Sequence, residues 1–260
     1  MSEKREHLIA GVCLSSGTED EVLRSIPLRL AALDLAEEQR ASLAAHAQRL
    51  VLYRRLVRGN FETAARRLLP RTAACLDDAA DNAFGRELDA FLAEGGMRSH
   101  YLRDLGPELV RWGTGRWASP AFPAHLADVA RYEALEFAVG IAPSAVVPQV
   151  AAELALDRGA VFEPTAHLAH FAHTVHEEDQ PATARPVALL VFRDAEQLVH
   201  TREIALAVAP VLERLLAGET LGQAVRGGAE GVVDDALLAQ VAGVLAELAS
   251  EGILLGARSS

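Results

Sequence analysis

Apolar residues return every three or four positions through the first half of the chain. Leu43, Ala47, Leu50, Tyr53, Val57, Phe61, Ala64 and Leu68 make one such series. It predicts helix as far as Pro70, with Gly59 a point at which the run could divide. Phe84, Leu88 and Phe91 predict a second helix stopped by Gly95-Gly96. Ser99 is placed to cap a third, bearing Leu102, Leu105, Leu109 and Trp112, with Pro107 as an interruption and Gly113-Thr114-Gly115 as the loop beyond. A fourth, after Pro123, sets Leu126, Val129, Ala130 and Phe137 on one side.

Near Gly140 the period shortens. Pro143 and Pro148 punctuate a linker, and Val150, Ala152, Leu154 and Leu156 then alternate as a half-buried strand does. Val187 to Phe192 is a continuous β-prone run, Asp194-Ala195-Glu196 is a turn, and Leu198–Thr201 and Ile204–Leu206 supply one or two further strands. Helical spacing resumes with Pro210 in a first turn, a capping box of Thr220 and Gln223, and a helix bearing Leu238, Val241, Leu245 and Leu248 behind Asp234 or Asp235. Gly252 stops it, and Ile253-Leu254-Leu255 returns as a strand. The expected fold is α+β: an N-terminal helical bundle over 1–145, then a small, mostly antiparallel sheet with winged-helix-like C-terminal helices over 146–260.

Half of the 260 residues are hydrophobic and 23% are charged, enough to build a sizeable core, and only 5% are aromatic, which favours helix over a β-sandwich. A formal charge of −11 repels nucleic-acid and anionic-lipid phosphates at long range. Arginine carries nearly all the positive charge, since Lys4 is the one lysine. Cys13 and Cys75 are too few for a disulfide framework or a four-thiolate zinc site. The apolar run Leu8 to Leu14 is short for a signal-peptide core and far too short for a membrane span, so a cytoplasmic protein is expected.

Four histidines, His167, His170, His173 and His176, stand three apart. Imidazole is a common metal ligand, but at this spacing a strand splits the set between two faces and a helix smears it over half its circumference. Neither brings all four to one ion; two of them could still contribute to a site, but structural or hydrogen-bonded histidines are the stronger reading, and no metal is expected in this chain. Glu177, Glu178 and Asp179 offer oxygen ligands or simply a solvated acidic loop.

Glu133 falls on the apolar stripe between Ala130 and Phe137, and a carboxylate there needs a partner. The expected one is an arginine of the Arg54, Arg55, Arg58 segment, with Arg54 at the edge of the long helix's stripe forming the ion pair. The wider cluster, Arg49, Arg54, Arg55, Arg58, Arg66, Arg67 and Arg71, is either a docking surface for an acidic partner or for nucleic acid, or a basic face neutralised within the protein. Trp112 and Trp117 are likewise interface anchors or core. No phosphate loop, nucleophile elbow, HExxH or CxxC is present, and the spacing assigns no catalytic residue.

Tyr53-Arg54-Arg55-Leu56-Val57-Arg58-Gly59-Asn60 and Asp128-Val129-Ala130-Arg131-Tyr132-Glu133 resemble the landmarks of the HvfC/BufC-type family, whose members carry a DNA-binding label and include the partner subunit of methanobactin biosynthesis. Leu69-Pro70-Arg71, Ser99-His100-Tyr101-Leu102, the histidine row and Pro186 to Arg193 extend the resemblance over most of 45–255, while the first 40 residues have no counterpart. The resemblance implies a non-catalytic adaptor for a TIM-barrel multinuclear non-haem iron oxygenase that modifies cysteines of a ribosomally made precursor peptide. Iron would belong to the partner, and this chain would carry no cofactor.

In such a pathway the peptide's leader adds a strand to an exposed sheet edge. Val187, Leu189, Val191 and Arg193 are the expected recognising strand, unless that run is a central strand. Arg54, Arg55, Arg58, Trp112 and Trp117 are the expected partner interface. The alternatives are a winged-helix DNA-binding regulator, poorly served by a Gly222–Ala229 stretch with only Gln223 and Arg226, and a stand-alone metalloenzyme using the histidine row.

Overall fold

A computed structural model describes residues 3–15, 17–33, 35–143, 150–151, 154–177, 180–228 and 234–258. Two compact units emerge, residues 1–134 and 135–260.

The first unit is helical. Its elements are α1 (Glu3–Cys13), α2 (Glu19–Ala31), α3 (Glu37–Ala45), α4 (Ala47–Leu68), α5 (Pro70–Ala79), α6 (Ala83–Ala93), a 3₁₀ turn at Leu102–Asp104, α7 (Leu105–Trp117) and the start of α8 (Leu126–Ile141). Thr18 and Glu21 form a capping box at the start of α2, which precedes the helices predicted from the apolar spacing. Leu8, Val12, Val22, Ile26, Leu30 and Val51 close one core between α1, α2 and the first half of α4. Leu69, Leu76, Phe84, Leu88, Phe91, Leu105, Leu109, Trp117 and Leu126 close a second around α5, α6 and α7.

Two punctuation marks read differently in three dimensions. Gly59 leaves α4 unbroken, and Gly113-Thr114-Gly115 lies inside α7 instead of forming a loop. The reason at Gly113 is packing: a Cβ there would come within 2.5 Å of the Trp117 ring, so glycine makes room for the indole. Pro107 is the third residue of α7, where an amide N–H has no partner within the helix, so it does not interrupt.

Among its described residues the second unit holds two antiparallel sheets and three helices besides the end of α8. Its elements are β1 (Val150–Ala151), β2 (Ala160–Phe162), β3 (His167–Phe171), β4 (Val187–Arg193), β5 (Val199–Ile204), α9 (Ala209–Leu216), α10 (Leu221–Gly228), α11 (Asp235–Ser250) and β6 (Leu254–Arg258). One sheet runs β1-β6-β2 and the other β3-β4-β5. The strand expected over 150–156 reduces to Val150 and Ala151, with Leu156 left exposed in a loop, and Pro148 and Ala152 lie outside the described residues. The two short runs after the turn merge into the single strand β5.

The C-terminal signals hold as read. Gln223 N–H donates to Thr220 Oγ1 at 3.3 Å while Gln223 Oε1 accepts from Thr220 N–H at 3.1 Å, and Leu237 N–H donates to Asp234 at 2.8 Å. Gly252 adopts φ +73° after α11, a left-handed turn that favours glycine. Ala188, Leu190, Phe192 and Ile204 from the larger sheet meet Val211, Leu212, Leu215, Val225, Val241, Leu245 and Leu248 from the helices in one core. The protein is α+β.

Candidate functional site

The larger sheet is the feature on which a binding function would rest, and its register decides which residues are available. β4 pairs with β3 on one side (His167 opposite Val191, Phe171 opposite Val187) and with β5 on the other (Ala188 opposite Ile204, Arg193 opposite Val199). All seven of its residues are buried. One face supplies the helix-backed core through Ala188, Leu190 and Phe192. On the other, Gly140 near the end of α8 sits against Val199, and its carbonyl accepts from Arg193 Nη1 at 3.1 Å. A cation at a helix C-terminus is favourably placed.

The expected recognising strand therefore needs correcting. Val187, Leu189 and Val191 are interior side chains of a central strand, and Arg193 is fixed within its own unit. A strand buried on both faces reads as an unbroken apolar run, which the sequence could not distinguish from an edge. The outer strands are β3 and β5.

The arginines of α4 also face differently from expectation. The inward face carries Val51, Arg54, Arg58 and Ala65, whereas Tyr53, taken as part of the apolar stripe, is 50% exposed. Arg54 Nη2 donates to the carbonyls of Ser15 and Gly17 at 2.9 and 3.0 Å. Arg58 Nη1 donates to those of Cys13 and Ser15 at 3.4 and 3.1 Å, and its other terminal nitrogen bonds Asp89. These guanidiniums satisfy carbonyls at the end of α1 that lack helical partners. Burial, with Arg54 alongside, pushes Arg58 down to about 10, so it stays charged at neutral pH. Arg54 and Arg58 are thus structural, and Arg55 is the exposed member, bonded to Glu19 at 2.6 Å. Trp117 is fully buried, donating Nε1–H to Glu87 at 2.9 Å. Trp112 is partly buried, stacks edge-on against Phe91 and donates to Glu94 at 2.7 Å. The outward apolar residues of α4 are Leu52, Tyr53 and Leu56.

Glu133 is buried, as its position required, but its partner is not Arg54. It accepts the backbone N–H of Arg71 at 2.7 Å, that of Thr72 at 2.8 Å and the Thr72 hydroxyl at 2.6 Å. These donors belong to the first turn of α5, which has Pro70 at its start and no side-chain cap of its own. A carboxylate from a distant helix does the capping, where the helix dipole favours negative charge. Burial still raises the Glu133 carboxyl above the ordinary range, against the downward pull of those bonds and of Arg71.

The histidines disperse. His167 and His170 lie three apart on β3 and so face opposite sides, with His170 Nε2 3.1 Å from Glu213 on α9. His176, in the connection from β3 to β4, lies 3.2 Å from Glu203 on β5. Among the described residues His176, Glu177 and Glu203 form the one grouping whose ligand atoms lie within 4.8 Å of each other. Glu178 and Asp179 lie outside the described residues.

Cys75 Sγ is 3.6 Å from His125 Nε2, but burial raises both its thiol and that of Cys13, which keeps them protonated. No described helix is long and apolar enough to cross a membrane.

Comparison with known families bears directly on the larger sheet. Residues 163–251 match the HvfC C-terminal domain. The matched span, about a third of the chain, starts just before β3 and ends just after α11, so it contains the β3-β4-β5 sheet and all three helices behind it. The match likens this part of the chain to that domain. No curated protein matches it.

Proposed function

We propose that this chain is a non-catalytic subunit that binds a ribosomally made precursor peptide and presents it to a TIM-barrel multinuclear non-haem iron oxygenase, in which the iron resides. The observation that carries this reading is the HvfC C-terminal domain match over the sheet and its helical backing. Two further features support it. Cys13 is buried and Cys75 partly so, and desolvation raises both thiols, which suits a chain that leaves bond chemistry to its partner. A charge of −11 disfavours the rival DNA-binding role.

With β4 enclosed, peptide backbone contacts fall to an outer strand of the sheet, where ladder hydrogen bonds supply affinity and alternate side chains supply selectivity. On the helical unit, contacts with the oxygenase fall to Leu52, Tyr53, Arg55 and Leu56, in place of the buried Arg54, Arg58 and Trp117. The test is joint expression of the tagged chain with the barrel oxygenase and the cysteine-containing peptide encoded beside it. Both should co-elute with the tag, and the peptide should be modified only when all three are present. Recovery of the chain alone, or full peptide modification without it, would refute the proposal.

A further inference from the structure

Beyond peptide binding, and independently of it, we propose that His176, Glu177 and Glu203 bind a single zinc-class divalent ion that clasps the β3–β4 connection onto β5. This departs from the expectation of a metal-free chain. Here one imidazole is joined by two carboxylates from separate places in the sequence. Their ligand atoms lie within 4.8 Å of one another, and His176 Nε2 is 3.2 Å from Glu203 Oε2, close to the spacing of neighbouring ligands on one ion. One nitrogen and two oxygen ligands with an open position suit zinc, whereas calcium and magnesium require more oxygens.

The connection is held ready for this. Thr174 N–H donates to the Thr183 carbonyl at 3.0 Å, and Thr183 N–H donates to Thr174 Oγ1 at 3.0 Å, pinning the loop immediately before His176. The imidazole is mostly enclosed, with its Nε2 turned toward Glu203. One cation already sits here. Arg185 reaches Glu203 at 2.5 Å and Glu177 at 3.2 Å, so its guanidinium bridges the two carboxylates. That side chain is 48% exposed and can swing into water at little cost, since such surface ion pairs are weak. An arriving divalent ion replaces its single charge with two and adds the bond to His176.

The experiment is a titration of the EDTA-dialysed full chain with zinc chloride by calorimetry, with the visible absorption of added cobalt as a second readout. One ion per chain is expected, with the tetrahedral cobalt spectrum. His176→Gln and Glu203→Gln should each weaken binding at least about tenfold, and Arg185→Met should tighten it by removing the competing cation. His170→Ala, at the Glu213 contact, should leave it unchanged. Far-UV circular dichroism establishes that each variant is folded, and the two ligand variants lie on different segments, so misfolding of one leaves the other as the test. Absence of saturable uptake, uptake indifferent to both ligand substitutions, or an Arg185→Met variant that binds no tighter would each overturn the proposal. None of these outcomes bears on co-elution with the oxygenase.

Discussion

Replacing Glu133 tests whether a carboxylate from α8 organises the start of α5. Alanine there removes the acceptor for two backbone N–H groups and one hydroxyl, the two Thr72 donors buried and the Arg71 N–H partly so. Hydrogen bonds to a charged group contribute about 1.5–3 kcal/mol each, and an abandoned buried donor costs about 1–3 kcal/mol. Part of this is offset because the variant no longer buries a charge, so the net loss is about 3 kcal/mol. Glutamine keeps one oxygen but turns an NH₂ toward a backbone donor, and about 2 kcal/mol is expected.

Both tryptophans lie in α7, so urea unfolding followed by their fluorescence reports on the unit that contains Glu133. With a slope of about 2 kcal/mol/M, the Glu133→Ala midpoint should fall by about 1.5 M. Because burial raises the carboxyl, it takes up a proton in the folded state at a higher pH than in the unfolded chain. The stability of the wild type relative to Glu133→Gln should therefore grow as the pH falls through the raised value, and level off below the ordinary glutamate range. An Ala variant within about 0.5 kcal/mol of wild type, no larger than an ordinary surface change, would refute the capping role, and a wild-type advantage that shrinks on acidification would refute the raised carboxyl.

Other substitutions probe other supports. Arg58→Met strips donors from the Cys13 and Ser15 carbonyls and the cation from Asp89, and should cost about 3 kcal/mol in the same assay, with Arg58→Lys recovering less than half because ammonium lacks the fork. Trp117→Phe leaves a gap beside Gly113 and takes a donor from Glu87, for a loss of about 2 kcal/mol read by the remaining Trp112. Gly228→Ala would put a Cβ 2.7 Å from the Val211 nitrogen where α10 crosses α9. It should cost about 2 kcal/mol, followed by circular dichroism because the second unit has no tryptophan.

Local signals were legible wherever a short stretch of sequence was sufficient to fix the backbone. The Thr220–Gln223 box, the Asp234 cap and the Gly252 stop are where their residues placed them. Errors arose where a distant residue decided. The α4 stripe was phased on Tyr53, yet Arg54 and Arg58 turn inward because the end of α1, more than thirty residues earlier, presents unpaired carbonyls. That the Glu133 stripe position needs a partner was readable, but its donors are backbone amides, which every residue but proline carries and which leave no mark in a sequence. β4 was found as a strand, but strand neighbours are set by the whole topology, so its central place was not visible. Gly113 looked like a loop because the Trp117 ring it accommodates lies a full turn away.

Enclosure of β4 on both faces and both margins divides the tolerance of this region to change. Its seven positions will accept only exchanges that conserve volume, and its amides should be among the last to take up deuterium. β3 and β5 carry their polar side chains outward on a scaffold that this inner strand holds rigid. Engineering or natural drift that alters which peptide is accepted should accordingly collect on those flanking strands and leave the middle one untouched.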